Sequence, residues 1–174
     1  MKLDLFDLIN SKGKELNKEI PIEMDEFDSP SGNYPITAKS PLQLYLSNGQ
    51  GRELSLKSEA HLKAHAPCDR CLTDVEIDVD IDYEIEIPIS DGKLVIDEMD
   101  APGCIDGLIL DTEQLVYDEI LMNWPMKVLC KEDCKGICNK CGCNLNNRTC
   151  DCDRTVVDPR MAAIQDVFNK FKEV

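Results

Sequence analysis

The stretch ELSLKSEAHLKAHAPCDRCLTDVEIDVDIDYEIEIPI, residues 53–89, decides the fold. In its first half Leu54, Leu56, Ala60, Leu62, Ala64 and Ala66 share one parity, and Glu53, Ser55, Lys57, Glu59, His61, Lys63 and His65 share the other. In its second half Val75, Ile77, Val79, Ile81, Tyr83, Ile85, Ile87 and Ile89 alternate with Asp74, Glu76, Asp78, Asp80, Asp82, Glu84 and Glu86. Successive side chains of an extended strand point to opposite faces, so a period of two marks a strand buried on one side. The pattern predicts two long antiparallel strands joined at Cys68-Asp69-Arg70-Cys71. A turn of those four residues sets His65 opposite Asp74, Lys63 opposite Glu76, His61 opposite Asp78 and Lys57 opposite Asp82. Such pairs stabilise a sheet by about 0.2–1 kcal/mol each, while a slip of one residue would turn every apolar side chain to water. Glu59 opposite Asp80 and Glu53 opposite Glu86 are unfavourable pairs that this register must tolerate.

Working outward, Ala38, Leu42, Leu44 and Leu46 predict a further strand, with Pro41 placing it at an edge. A three-residue loop, Gly49 to Gly51, then sets Leu46 opposite Leu54. One or two more strands are expected near Leu3–Ile9 and Glu19–Met24. Residues 91–110 read as an irregular acidic loop, with Cys104 in it as a buried or free thiol. Asp111 can cap a helix, with Gln114 completing a capping-box-like start. Tyr117, Ile120, Leu121 and Trp124 form its apolar stripe and Pro125 ends it. A second helix starts with Asp158 and Pro159 and carries the stripe Met161, Ile164, Val167, Phe168 and Phe171. The expected class is α+β: mainly an antiparallel β meander or partly closed barrel, two short helices and a C-terminal Cys-rich zinc-binding segment. A β-rich domain with an acidic sheet face is expected over residues 1–125, and the Cys-rich segment with its C-terminal helix over residues 126–174.

The chain has 174 residues, 34 acids against 19 bases, and a net charge of −15. Residues 68–125 hold 17 acids and 2 bases, so the whole excess belongs to the middle third. A surface that negative repels phosphate backbones and attracts basic partners. The face from Asp74 through Glu76, Asp78, Asp80, Asp82 and Glu84 to Glu86 is therefore the candidate partner-binding surface. His61 and His65, four residues apart beside those acids, read as charge partners rather than metal ligands. No apolar run approaches the length of a membrane span, and the start MKLDLFDLIN lacks the basic and apolar regions of a secretory signal. The expected compartment is the cytoplasm, where 10 cysteines are not ordinarily stored as disulfides.

Nine of those cysteines fall into short-spaced groups: Cys68-x2-Cys71, Cys130-x3-Cys134-x3-Cys138-x2-Cys141-x-Cys143, and Cys150-x-Cys152. Tetrahedral thiolate sites use such pairs because one short turn can wrap each side of the ion. Zinc is the expected metal for an all-sulfur structural site, as one or two four-cysteine ions. Cys138, Cys141, Cys150 and Cys152 make a local quartet. Cys68, Cys71, Cys130 and Cys134 make the other, at a loop-closure cost only about 1.5 kcal/mol greater. That is small beside the roughly 10–16 kcal/mol of apparent binding energy of a structural zinc. A competing partition joins Cys68 and Cys71 to Cys138 and Cys141, and Cys143 could displace a neighbour. Cys134-x3-Cys138-x2-Cys141 also has the spacing of radical SAM iron–sulfur enzymes, but only 33 residues follow Cys141. No GxSxG, P-loop or HExxH motif is present, and a four-thiolate zinc leaves no open position for water, so no catalytic residue is assigned.

The segments CDRCL at 68–72, ILMNWPMKVLC at 120–130, CKGICNKCGCNLN at 134–146, CDC at 150–152 and DPRMAAIQDVF at 158–168 occur in that order. Together they make the chain resemble the YceD family of large ribosomal RNA subunit accumulation proteins, from about residue 34 onward. Cys143 departs from the expected pattern, standing after the Cys-Gly pair where a non-ligand is expected. The resemblance implies a non-enzymatic role in accumulation or processing of large-subunit ribosomal RNA. Combined with the charge, it points to a basic ribosomal protein or a pre-ribosomal particle as partner, with no membrane and no small-molecule substrate. The alternative is direct RNA contact through Lys131, Lys135, Lys140, Arg148, Arg154 and Arg160, which lack the interleaved aromatics of a base-stacking surface.

Overall fold

The two alternating stretches become the longest strands of the computed structural model, which describes residues 1–96 and 102–152. The expected helix from Asp158, with Arg154 and Arg160, lies outside the described residues. In chain order the elements are β1 Lys2–Asp4, α1 Phe6–Ile9, β2 Glu15–Ile20, β3 Glu26–Ser29, β4 Gly32–Lys39, β5 Leu42–Asn48, β6 Glu53–Pro67, β7 Asp74–Ser90, β8 Lys93–Leu94, β9 Ile105–Asp106, β10 Ile109–Asp111 and α2 Thr112–Asn123. The protein is mostly antiparallel β, with a sheet curled into a half-barrel. It divides into two compact units, one of Met1–Pro67 with Asp74–Val128, the other of Cys68–Thr73 with the chain from Leu129 on.

β6 and β7 pair over their whole length, but two residues away from the expected register. Pro67 faces Asp74, so the turn has six residues, Cys68–Thr73, not four. Inside it the Cys68 N–H donates to the Thr73 carbonyl at 2.8 Å and the Leu72 N–H to the Cys68 carbonyl at 2.9 Å. A shift of two keeps every side chain on its face, which is why the alternation could not reveal it. Directly opposed are now His65 and Glu76, Lys63 and Asp78, His61 and Asp80, Lys57 and Glu84, and Glu59 and Asp82. Three of the expected charge pairs survive as diagonals. His65 Nδ1 bonds the Asp74 carboxylate, Lys63 Nζ lies 2.6 Å from Glu76 Oε1, and His61 Nε2 lies 3.5 Å from Asp78. The fourth is lost: Lys57 turns to Glu59 on its own strand, at 3.0 Å.

The hairpin between β5 and β6 is displaced in the same way, pairing Leu46 with Leu56 and Asn48 with Leu54. Its loop is Gln50–Arg52, closed by a bond from the Gly49 N–H to the Glu53 carbonyl at 2.9 Å. Buried Asn48 fixes that choice. Its amide donates to the carbonyls of Leu8 and Ile9, and its side-chain oxygen accepts from the Gly51 N–H at 2.6 Å. The single strand expected upstream is split at Ser40-Pro41 into β4 and β5, which both line β6. Pro41 has no N–H to give, and the Ser40 hydroxyl accepts the His61 N–H at 2.9 Å. The predicted strand near Leu3–Ile9 is shared between β1 and α1, because the Leu5 carbonyl accepts from the Ile9 N–H in a single helical turn. The segment read as an irregular loop contributes β8, β9 and β10, the last paired with β1.

Leu42, Leu44 and Leu46 of β5, Leu54, Leu56 and Leu62 of β6, and Val79, Ile81 and Ile87 of β7 form the inner face of the sheet. Ser58 breaks this apolar row and is fully buried, with no hydrogen-bond partner for its hydroxyl among the described residues. α2 starts as expected, Asp111 accepting from the N–H groups of Glu113 and Gln114. The capping box does not close, since the Gln114 side chain donates to Asp118 at 2.8 Å. The helix buries Leu115, Val116 and Ile120, whereas Leu121 of the predicted stripe is exposed. Tyr117 and Trp124 pack around Phe27, with ring centroids 5.4 and 5.0 Å away. Cys104 is buried, and burial pushes its thiol up to about 11. Among the described residues no helix is long and apolar enough to cross a membrane.

Candidate metal centre

The unit built on Cys68–Thr73 and the chain from Leu129 on gathers eight cysteines into two quartets. Cys68, Cys71, Cys130 and Cys134 form the first, Cys138, Cys141, Cys150 and Cys152 the second, and within each all sulfurs lie within 4.8 Å of one another. Cys68 Sγ is 3.8 Å from Cys134 Sγ, and Cys71 Sγ is 3.5 Å from Cys130 Sγ. A tetrahedron of sulfurs about 2.3 Å from a central ion has edges of about 3.8 Å. The donor set and its spacing therefore fit a divalent metal, and all ten cysteines are free thiols rather than disulfides. The competing partition of Cys68 and Cys71 with Cys138 and Cys141 is not formed. Nor do Cys134, Cys138 and Cys141 converge as an iron–sulfur triad would, since Cys134 belongs to the first quartet and the other two to the second.

Each quartet is entered through the same local fold. In the first, Cys68 N–H meets the Thr73 carbonyl at 2.8 Å, Leu72 N–H meets the Cys68 carbonyl at 2.9 Å, and Leu72 has φ +59°. In the second, Cys138 N–H meets the Cys143 carbonyl at 2.9 Å, Gly142 N–H meets the Cys138 carbonyl at 2.8 Å, and Gly142 has φ +70°. Tight turns of this kind aim backbone N–H groups at the sulfurs. Burial alone would raise the Cys68 thiol, but the N–H groups of Cys130, Arg70 and Cys71 outweigh it and bring it down to about 6. Cys71 is lowered chiefly by the Thr73 side chain, Cys138 by the Cys141 and Lys140 backbone, and Cys150 by the Cys152 backbone. Cys141 is lowered by the backbone and then the side chain of Cys143, whose own thiol is pushed up to about 11 by its bond to Cys141. Cys130 and Cys152 are held up at about 12, by the sulfurs of Cys71 and Cys141 respectively.

Thr73, Asn144, Asn146 and Arg70 form hydrogen bonds around the first quartet. Asn144 donates to the Thr73 hydroxyl oxygen at 3.1 Å, and that oxygen lies 3.2 Å from Cys71 Sγ. With its lone pair engaged by Asn144, the hydroxyl is set to donate to Cys71 as a thiolate. Asn146 Nδ2 donates to Cys134 Sγ at 3.3 Å, and its Oδ1 accepts from the Lys135 N–H at 2.9 Å. Arg70 donates to the Cys134 carbonyl at 2.9 Å and accepts from the Ile137 N–H at 3.0 Å. Thr73 and Arg70 carry no motif of their own. The only sequence signal for Thr73 is that it stands two residues after a CxxC pair, where Cys143 stands after the other.

The acidic residues of β7 are exposed on the outer face of the sheet, in the unit of Met1–Pro67 with Asp74–Val128. They are not equivalent. His61, Lys63 and His65 engage Asp74, Glu76, Asp78 and Asp80, whereas among the described residues no ion pair reaches Asp82, Glu84 or Glu86. Glu59, Asp80 and Asp82 line a shallow groove of about 530 Å³ with Gln43 and His61. Of the candidate RNA-contacting bases, Lys131 lies 3.7 Å from Asp133.

The sequence pattern of a family described as "Large ribosomal RNA subunit accumulation protein YceD" matches residues 56–168. An uncharacterised protein of Mycobacterium leprae is 34% identical over 80 residues, which are 45% of this chain and 36% of that protein. The chloroplastic large ribosomal RNA subunit accumulation protein YCED homolog 1 of Arabidopsis thaliana is 39% identical over 49 residues, 28% of this chain and 15% of that protein. The chain thus spans well under half the length of each of these relatives. No solved structure matches it.

Proposed function

The chain belongs to the YceD family, and from that membership and its two thiolate quartets we propose a non-enzymatic, zinc-binding accessory factor of ribosome biogenesis that supports accumulation of large-subunit ribosomal RNA. The observation that carries the zinc reading is the pair of four-cysteine groups, in each of which all sulfurs lie within 4.8 Å of one another. Hard oxygen-seeking cations have no ligand there, and zinc suits an all-thiolate, non-redox setting. Four protein ligands leave no vacant position, so each ion staples the chain instead of activating water.

The route to ribosomal RNA is through a basic ribosomal protein docked on β7. A surface of this charge repels naked RNA. Lysine and arginine of the partner meet Asp82, Glu84 and Glu86, which no ion pair reaches among the described residues, and the groove beside Glu59 and Asp82 takes one of those side chains. The test is capture of purified basic ribosomal proteins by the full chain, beside the triple variant Asp82→Lys, Glu84→Lys, Glu86→Lys. Binding that weakens with salt and disappears in the variant supports the reading. Binding to ribosomal RNA alone that survives the variant and is lost on neutralising Lys135, Lys140 and Arg148 would replace it with direct RNA contact.

A further inference from the structure

Five sulfurs, not four, crowd the second quartet, and the repeated turn says which one is extra. The bonds Cys68 to Thr73 and Cys138 to Cys143, at 2.8 and 2.9 Å, are the same bond, as are Leu72 to Cys68 and Gly142 to Cys138, at 2.9 and 2.8 Å. The left-handed residue stands at the same place in both turns, Leu72 and Gly142. Overlaying the turns puts Cys68 on Cys138, Cys71 on Cys141, and Thr73 on Cys143. Thr73 cannot ligate zinc at the first quartet in competition with four thiolates; its hydroxyl sits 3.2 Å from Cys71 Sγ, oriented by Asn144.

We infer that Cys143 is not a ligand of the second centre but its positioning residue, occupying the place of Thr73 and donating its S–H to the Cys141 sulfur. The inference rests on the metal reading above. Cys143 is buried, whereas Cys141 is exposed, and Cys150 and Cys152 are half-exposed. A bond from beneath is what can orient the Cys141 sulfur from the protein side. Partners of this kind around a metal ligand are worth about 10- to 100-fold in affinity. A thiol is a weaker donor than a hydroxyl, so threonine should serve at least as well.

The experiment loads the full chain with Co2+, whose sulfur-to-cobalt charge-transfer absorption grows with the number of ligating thiolates, and follows transfer of the ion to a chelator. Wild type should take two ions. Cys143→Thr should keep two ions, undiminished charge-transfer intensity and wild-type retention. Cys143→Ala should keep the intensity but surrender one ion about 10- to 100-fold more readily. Cys152→Ser should lose intensity outright. The inference is overturned if Cys143→Thr loses charge-transfer intensity while Cys152→Ser keeps it, because Cys143 would then be the ligand. It is overturned as well if Cys143→Ala holds both ions as wild type does. Wild type that takes up no cobalt or zinc sinks the metal reading itself, an outcome distinct from either.

Discussion

Two glycines of the Cys-rich unit offer a matched comparison, because both are left-handed and only one is crowded. Gly136 has φ +75° and Gly142 φ +70°. A Cβ on Gly142 would meet nothing within 4 Å, whereas one on Gly136 would stand 2.9 Å from the backbone carbonyl of Arg70. Alanine in either place suffers the left-handed penalty of roughly 1–2 kcal/mol. The gain from a less flexible unfolded chain is common to both and cancels in the comparison. At Gly136 the contact must also push away a carbonyl that accepts the Ile137 N–H at 3.0 Å, inside a turn pinned by Cys68 and Cys71. Loss of that bond adds about 1–2 kcal/mol, so Gly136→Ala should cost about 2–4 kcal/mol in all. Folding of such a unit and metal binding are one equilibrium, so these costs appear as affinity. Competition against a chromophoric chelator should find the full chain's zinc affinity lowered about 5- to 30-fold by Gly142→Ala and about 30- to 1,000-fold by Gly136→Ala. Equal losses, or a larger loss for Gly142→Ala, would refute the claim that the Arg70 carbonyl leaves no room for a side chain at Gly136.

Two further outcomes concern the sheet. Ser58→Ala removes a fully buried hydroxyl that has no partner among the described residues, and should stabilise the protein by about 1 kcal/mol, raising Tm by roughly 2–4 °C; a lowered Tm would mean the hydroxyl is satisfied after all. Glu76 is lowered from 4.5 by its hydrogen bond to Lys63, and Lys63 is raised from 10.5 by the same bond. The Glu76 contribution to stability is therefore complete above pH 4.5 and lost as pH falls through its depressed value, while that of Lys63 is complete below pH 10.5 and lost as pH rises through its raised value. A carboxyl-carbon NMR titration should place the Glu76 midpoint below 4.5 and return it upward in Lys63→Met; an unmoved midpoint counts against the pair.

What was legible in the sequence was whatever a period or a spacing encodes. The faces of β6 and β7 follow from alternation, since only one parity of residues can reach the core. The reading of the cysteines as metal ligands follows from their short spacings, and of the partitions the spacing left open the structure brings together Cys68, Cys71, Cys130 and Cys134, and Cys138, Cys141, Cys150 and Cys152. Registers were not legible. Alternation is blind to a shift of two, and both displacements arise from turn chemistry that no period records: a six-residue cysteine turn at Cys68–Thr73, and the buried amide of Asn48 closing a later loop. The split at Ser40-Pro41 and the exposure of Leu121 depend on what packs alongside, which a local pattern does not contain. Thr73 was invisible because a single hydroxyl has no motif until Asn144 and Cys71 are seen on either side of it.

The six-residue turn has a consequence at the far end of the strands it joins. A four-residue turn would have put Glu53 opposite Glu86 and Lys57 opposite Asp82. With the longer turn, Glu53 faces Pro88, Ser55 faces Glu86, and Glu59 faces Asp82. His61, Lys63 and His65 engage Asp74 to Asp80 in this register, and Lys57, now opposite Glu84 instead of Asp82, turns its ammonium to Glu59. Among the described residues, Asp82, Glu84 and Glu86 are left without an ion pair. The backbone hydrogen bonds that close the six-residue turn thus set which acids of β7 face which bases of β6.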